Sequence, residues 1–133
     1  MKVTLDASQI QSINMFQNLT NSSVMDFAED SGDIYFVVGE GQYGLAVGKG
    51  GAKIKNAERA FKKRIRVLEY SPDMEQFIRN VFQDVQQVQR DGDMVQVRIK
   101  PASRPRAIGK NGSYIRIINH FLKRLFGVEA KVK

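Results

Sequence analysis

The spacing of apolar residues changes several times along the chain, and each change marks an element. Ile10, Ile13 and Phe16 recur at threes among polar residues. That spacing predicts a helix opened by Asp6 or Ser8 and running to about Gln17. After the polar loop Asn18 to Ser23, two β-branched and aromatic runs, Val24–Ala28 and Ile34–Val38, flank Glu29-Asp30-Ser31-Gly32-Asp33. They read as a hairpin. Tyr43–Val47 is short enough for one helical turn. Ala52–Lys63 then carries an apolar stripe of Ile54, Ala57 and Phe61 beside a basic one of Lys55, Arg59 and Lys62. Arg64–Tyr70 reads as a strand.

Beyond Ser71-Pro72-Asp73 the plan recurs. Phe77, Ile78, Val81, Phe82 and Val85 predict a helix over Met74–Asp84. Val85–Arg90 and Met94–Lys100 predict strands around Asp91-Gly92, a tight-turn pair. Pro101 and Pro105 restrict the next segment. Ile115, Ile118, Leu122 and Leu125 predict a helix over Ser113–Phe126, which Gly127 can end in a left-handed conformation. Val128–Val132 is the last strand.

The recurrence is a repeat. Val47-Gly48-Lys49-Gly50-Gly51 returns as Ile108-Gly109-Lys110-Asn111-Gly112, and both Gly48 to Gly109 and Gly51 to Gly112 are 61 residues apart. The same offset sets Ile54 on Ile115, Ala57 on Ile118, Phe61 on Leu122, Val67 on Val128, and Lys55 on Arg116. Agreement at apolar and basic positions together points to two copies of one small unit. Residues 1–70 form the first, 74–133 the second, and 71–73 the linker. Each copy alone would have a thin core, so the two are expected to dock closely.

Charge changes the picture next. The 133 residues carry a net charge of +7, but residues 1–40 hold one basic against six acidic residues. Residues 41–70 hold eight basic against two acidic, and 71–133 twelve against six. Positive charge therefore begins with the first glycine loop and returns with the second. Such a surface suits a polyanion. With no cysteine and one histidine, disulfides and Cys/His zinc sites are excluded. Neither a signal peptide nor a stretch of about 20 apolar residues is present. The expectation is a monomeric, cytoplasmic protein without membrane association, metal or cofactor.

Gly-Lys-x-Gly after a small apolar residue and before a basic amphipathic helix, twice at a fixed offset, resembles the KH domain. In that family the loop clamps the backbone of about four nucleotides of single-stranded RNA. After Gly112 only 21 residues remain, enough for one helix and one strand. The extra helix and strand of a KH unit must then precede the loop, as in the type II form. The fold class that the resemblance implies is α+β, with two tandem type II KH domains expected, each helix–strand–strand–helix–helix–strand, with a three-stranded mixed sheet and helices on one face. The whole chain is similar to the paired KH region of the NusA family of transcription elongation and termination factors, in its short archaeal form. On that resemblance, the expectation is a form without the amino-terminal polymerase-binding domain and S1 domain of the bacterial one.

The resemblance implies single-stranded RNA as ligand, with RNA polymerase or other transcription factors as further partners. RNA-binding residues by this reading are Gly48, Lys49, Gly50 and Gly51, then Lys53, Lys55 and Arg59. In the second copy they are Arg104, Arg106, Gly109, Lys110, Asn111, Gly112 and Arg116. The glycines let backbone approach a phosphate, the helix start presents free N–H groups, and lysine adds a mobile charge.

Competing readings are weaker. Gly39-x-Gly41-x-x-Gly44 matches a dinucleotide fingerprint, but the next glycine cluster leaves no room for the helix that fingerprint opens. A P-loop needs glycine where Tyr43 and Arg104 stand, and Ser or Thr where Gly50 and Asn111 stand. Asp30/Asp33 and Asp91/Asp93 suit turns better than acid–base work. His120, at the place of Arg59, reads as a solvated side chain. No nucleophile–base pair points to an enzyme. The alternatives are a KH protein of the ribosome or RNA processing, and a protein-interaction module that has lost RNA binding.

Overall fold

The computed structural model describes residues 6–133, and the chain divides after Pro72 into two compact units. The first unit contains helix α1 (Ala7–Thr20), strands β1 (Val24–Asp30) and β2 (Asp33–Val38), helices α2 (Tyr43–Val47) and α3 (Ala52–Phe61), and strand β3 (Arg64–Glu69). The sheet order is β1-β2-β3, with β1/β2 antiparallel and β2/β3 parallel. Joining parallel neighbours requires a crossover, and α2, the glycine loop and α3 supply it.

Residues with period two on the strands meet residues with period near four on the helices. Phe27, Ile34, Phe36, Val38 and Ile65 point to one face, where Phe16 of α1 and Ala57 of α3 cover them. The Phe16 and Phe36 rings stack with centroids 3.9 Å apart, and Phe27 and Phe61 pack on Phe36 at 5.2 and 5.8 Å. The first chain reversal is a two-residue turn, with positive φ at Ser31 (54°) and Gly32 (83°), as a type I′ hairpin requires.

The second unit contains α4 (Met74–Val81), β4 (Val85–Asp91), β5 (Met94–Ile99), α5 (Arg104–Ile108), α6 (Ser113–Phe126) and β6 (Glu129–Val132). Its sheet repeats the scheme: β4-β5-β6, with β4/β5 antiparallel and β5/β6 parallel. Val95, Val97, Ile99 and Ala130 face Phe77, Ile78, Ile118, Phe121 and Leu122 in the core. Both hairpins even break register at the same place, between Val24 and Asp26 and between Val85 and Gln87.

Several boundaries differ from those the pattern predicts. Helix α1 runs on to Thr20, ending at left-handed Asn21, with Asp6 and Gln9 forming a capping box at its start. Helix α4 stops at Val81, not Asp84: Phe82 is extended (φ −117°, ψ 143°) and buried against Tyr114. Phe82 and Val85 continue the helical spacing only in sequence. Between Pro101 and Ile108 the chain makes a 3₁₀ turn and α5, with Pro105 in the first turn, where a missing N–H costs nothing. The 61-residue offset also fails at the last strand. Ile34 pairs with Ile65 and Val95 with Ala130, so β3 and β6 are offset by 65, and Val67 does not correspond to Val128. Helix α6 has 14 residues against 10 in α3. The extra four are about one turn, which keeps the apolar stripe in phase.

Candidate nucleic-acid interface

The two glycine loops have the same backbone. Gly48 (φ 78°, ψ 168°), Gly50 (63°, 20°) and Gly51 (76°, 15°) match Gly109 (78°, 172°), Asn111 (56°, 29°) and Gly112 (74°, 17°). Three of the four positions in each loop have positive φ, and the lysine alone does not. Asn111 is the residue type, besides glycine, that most readily takes this conformation. The amide of Gly51 donates to the Gly48 carbonyl at 3.0 Å, and that of Gly112 to Gly109 at 3.1 Å. These bonds curl each loop into a single turn that delivers the chain into α3 or α6.

The first glycine of each loop is also required by space. A Cβ on Gly48 would lie 2.7 Å from Lys53 Cγ, and one on Gly109 would lie 2.7 Å from the Tyr114 amide nitrogen. The loop tips are open: a Cβ on Gly50 or Gly51 meets nothing within 4 Å. Lys49, Gly50, Lys110 and Asn111 are all exposed. Neither α3 nor α6 has a side-chain cap at its N-terminus. Their first-turn N–H groups thus lie beside a loop lysine with no side-chain acceptor of the protein's own. Successive amides around left-handed residues form the kind of concavity that holds an anion.

Polar contacts fix both loops from behind. Gln42, just before α2, accepts the Ser23 amide at 2.6 Å through Oε1. At the matching position Ser103 donates through Oγ to Asp84 Oδ2. Lys53 Nζ donates to the Thr20 carbonyl at 2.9 Å, and the Tyr114 hydroxyl donates to the Val81 carbonyl.

The predicted site residues therefore separate. Lys55 and Arg59 lie one turn apart, exposed on α3, and Arg116 is exposed on α6 in the place of Lys55. Lys53 is half-buried with its ammonium on α1, and its position in the fold is that of a clip. Arg104 turns its Nε toward the Ile99 carbonyl at 3.3 Å, at the end of β5, and Arg106 reaches Gln83 at 3.2 Å. Other cations of the first basic run are paired away from the loop: Lys63 with Glu29, and Arg64 and Arg66 with Asp33. His120 stands 2.8 Å from an Arg124 guanidinium nitrogen.

The spacing of residues did not reveal the apolar surface beside the loops. Tyr43 and Leu45 on α2 are 48% and 45% exposed, and Ile108, next to the second loop, is 42% exposed. Only Ala46 and Ala107 of these short helices are buried. The signal was present as large apolar residues in a five-residue helix, which has one face to bury and two to expose.

A family model described as KH domain matches residues 14–93. A protein of Methanococcus vannielii named "Probable transcription termination protein NusA" is 38% identical, covering 97% of this chain and 78% of the relative. A protein of the same name from Methanocaldococcus jannaschii is 36% identical, covering 92% of this chain and 70% of that one. A solved structure titled "Crystal structure of APE1850" superimposes with a TM-score of 0.80 at 28% identity, over 97% of this chain and all of that one.

Proposed function

Since the chain belongs to the KH-domain family, we propose that it binds single-stranded RNA through both glycine loops, as a NusA-like factor in transcription elongation or termination. The observation that carries this is the loop itself. One left-handed backbone is built twice, each time with a lysine at its tip and each time feeding a helix without a side-chain cap. In this reading the two units are tandem type II KH domains, residues 1–70 and 74–133, joined by Ser71-Pro72-Asp73.

The chemistry follows from the parts. A phosphate entering the loop accepts from backbone N–H groups and meets the positive end of α3 or α6. Lys49 and Lys110 add a charge that adjusts to the phosphate position. Lys55, Arg59 and Arg116 extend the positive track along the helices, and Arg104 and Arg106 extend it on the other side of the second loop. Tyr43, Leu45 and Ile108 offer apolar surface to bases turned away from the backbone. Holding RNA in this way requires no cofactor and no bond-breaking step, so the protein is a binding factor and not an enzyme. The relatives' names support transcription termination as the setting; in this reading polymerase or other transcription factors are the further partners and the protein acts as a monomer.

The test is binding of labelled single-stranded RNA by a variant carrying Lys49→Asp, Gly50→Asp, Lys110→Asp and Asn111→Asp. Loss of binding in a folded protein supports the reading. Unchanged affinity in a folded variant removes it.

A further inference from the structure

Each unit packs its helices on one face of its sheet, and the opposite faces differ. In the first unit that face presents Asp26 and Ala28 on β1, Tyr35 and Val37 on β2, and Leu68 on β3; all five are buried. By strand pairing, the matching places in the second unit hold Gln87, Gln89, Gln96, Arg98 and Lys133. None of these is buried, and together they line one shallow depression. Lys131, paired with Gln96 and alternating with buried Ala130, joins them on this face.

The face has a direction. Its carboxylates, Asp91 and Glu129, sit at the end where Met94 pairs with both. Arg98 and Lys133 sit at the other end, where β5 leads into α5. Arg104, held on the Ile99 carbonyl, and then Arg106 continue the positive charge from that end toward Lys110. Among the described residues, Arg98, Lys131 and Lys133 take part in none of the ion pairs found.

We propose that this Gln/Arg/Lys face is a second single-stranded RNA contact, taking the part of the strand that continues past the Lys110 loop. The proposal rests on the RNA-binding reading above. Two features favour RNA over an acidic protein segment. The three glutamine amides present donors and acceptors together, which suits the 2′-hydroxyls of the sugars, whereas carboxylates ask only for donors. The depression also lacks the aromatic or aliphatic anchor around which protein interfaces concentrate their binding energy. With no aromatic platform, the contacts are to phosphate and sugar, so they depend on salt and select little sequence.

The experiment compares two RNA lengths on two folded variants. A strand of about four nucleotides fills one loop, and a strand of about 24 reaches well beyond it. For Arg98→Gln/Lys131→Gln/Lys133→Gln, the short strand is expected to bind as it does to the unaltered protein. The long strand is expected to lose about 2 from its log–log salt slope, since each phosphate contact contributes roughly 0.7. For Gln87→Ala/Gln89→Ala/Gln96→Ala, the preference for long RNA over DNA of the same sequence is expected to fall. If long-strand binding keeps its slope and its RNA preference in both variants, the face is not an RNA contact. If the basic variant instead loses only retention on polyglutamate, the face belongs to an acidic protein and the proposal fails. The loop variant is run beside them. Should it still bind the short strand, the RNA reading itself fails, whatever the face variants do.

Discussion

Lys53 and Tyr114 stand at the same place in the two units and hold the same backbone group. Each is the second residue of the helix after a glycine loop, and each donates to the last carbonyl of the unit's first helix, Thr20 in one and Val81 in the other. An ammonium and a phenol are unlike in charge and shape. They share only a donor at the end of a long side chain, and that is what a helix C-terminal carbonyl requires. Each also fills the space that a Cβ on the first loop glycine would enter. One position thus anchors the first helix and sets the residue type of the loop.

Lys53→Met and Tyr114→Phe remove the donor and keep most of the packing. Each is expected to destabilise its unit by about 1 kcal/mol, the usual net worth of one such bond. Denaturant unfolding reads this as a lower midpoint with an unchanged slope. RNA affinity and its salt slope are expected to hold in Lys53→Met, because the ammonium is engaged on Thr20. A drop of about 0.7 in the salt slope would instead make Lys53 a phosphate contact.

Gly48→Ala and Gly109→Ala test the space. Both positions have φ of 78°, where an L-residue is strained by roughly 1–3 kcal/mol. The obstacles differ. At Gly48 the closest atom is the Cγ of a flexible lysine, whereas at Gly109 it is a backbone nitrogen at 2.7 Å. The Gly109 variant is expected to lose more stability, seen as the lower midpoint of two matched denaturant curves. Equal losses would show that strain in φ, common to both, outweighs contact.

How much of the fold and site is legible in sequence depends on what each signal encodes. The helices, hairpins and both loops come from local periodicity and turn residues, whereas the mixed three-stranded sheets come only from the resemblance to the KH domain. The end of α4 is not legible, because Phe82 keeps the helical spacing while packing on Tyr114 as an extended residue. Lys53 groups with the loop cations in sequence because charge alone does not distinguish a helix clip from a phosphate contact. The last strand is misaligned between copies because one added turn in α6 leaves the apolar stripe intact and shifts only the residues beyond the helix. The opposite faces of the sheets are hidden as well. Their difference appears only when strand pairing sets Tyr35 beside Arg66 and Gln96 beside Lys131.

The loop tips allow the sharpest separation of folding from binding. Lys49→Asp/Gly50→Asp and Lys110→Asp/Asn111→Asp place two negative charges in each anion concavity. Gly50 and Asn111 have φ of 63° and 56°. Aspartate at Gly50 therefore adds a Cβ in a left-handed position and costs about 1 kcal/mol, while at Asn111 a side chain is already tolerated and the cost is smaller. Melting is expected to show this asymmetry. RNA binding is expected to weaken in either variant and to vanish as specific binding in the combination, since two linked sites on one strand reinforce each other. A folded combined variant with wild-type affinity would place the RNA site elsewhere.

Salt and strandedness test the clamp as a clamp. Each phosphate neutralised on a single strand contributes roughly −0.7 to the slope of log affinity against log salt. If Lys49, Lys55, Arg59, Lys110 and Arg116 all meet phosphates, the slope for a strand filling both loops is about −3.5. Removing Lys49 and Lys110 together, each by Lys→Gln, is expected to reduce its magnitude by about 1.4. A nonspecific basic surface would show the same salt response with duplex RNA, because phosphates are equally present there. The loops predict otherwise. Tyr43, Leu45 and Ile108 lie exposed beside them, and their apolar surface is useful only to bases that have left a stack. Duplex of matched length is therefore expected to bind more weakly, and Tyr43→Ala with Leu45→Ala is expected to narrow the gap by weakening only the single strand. Equal binding of both forms, unchanged by those substitutions, would reduce the interface to its charge alone.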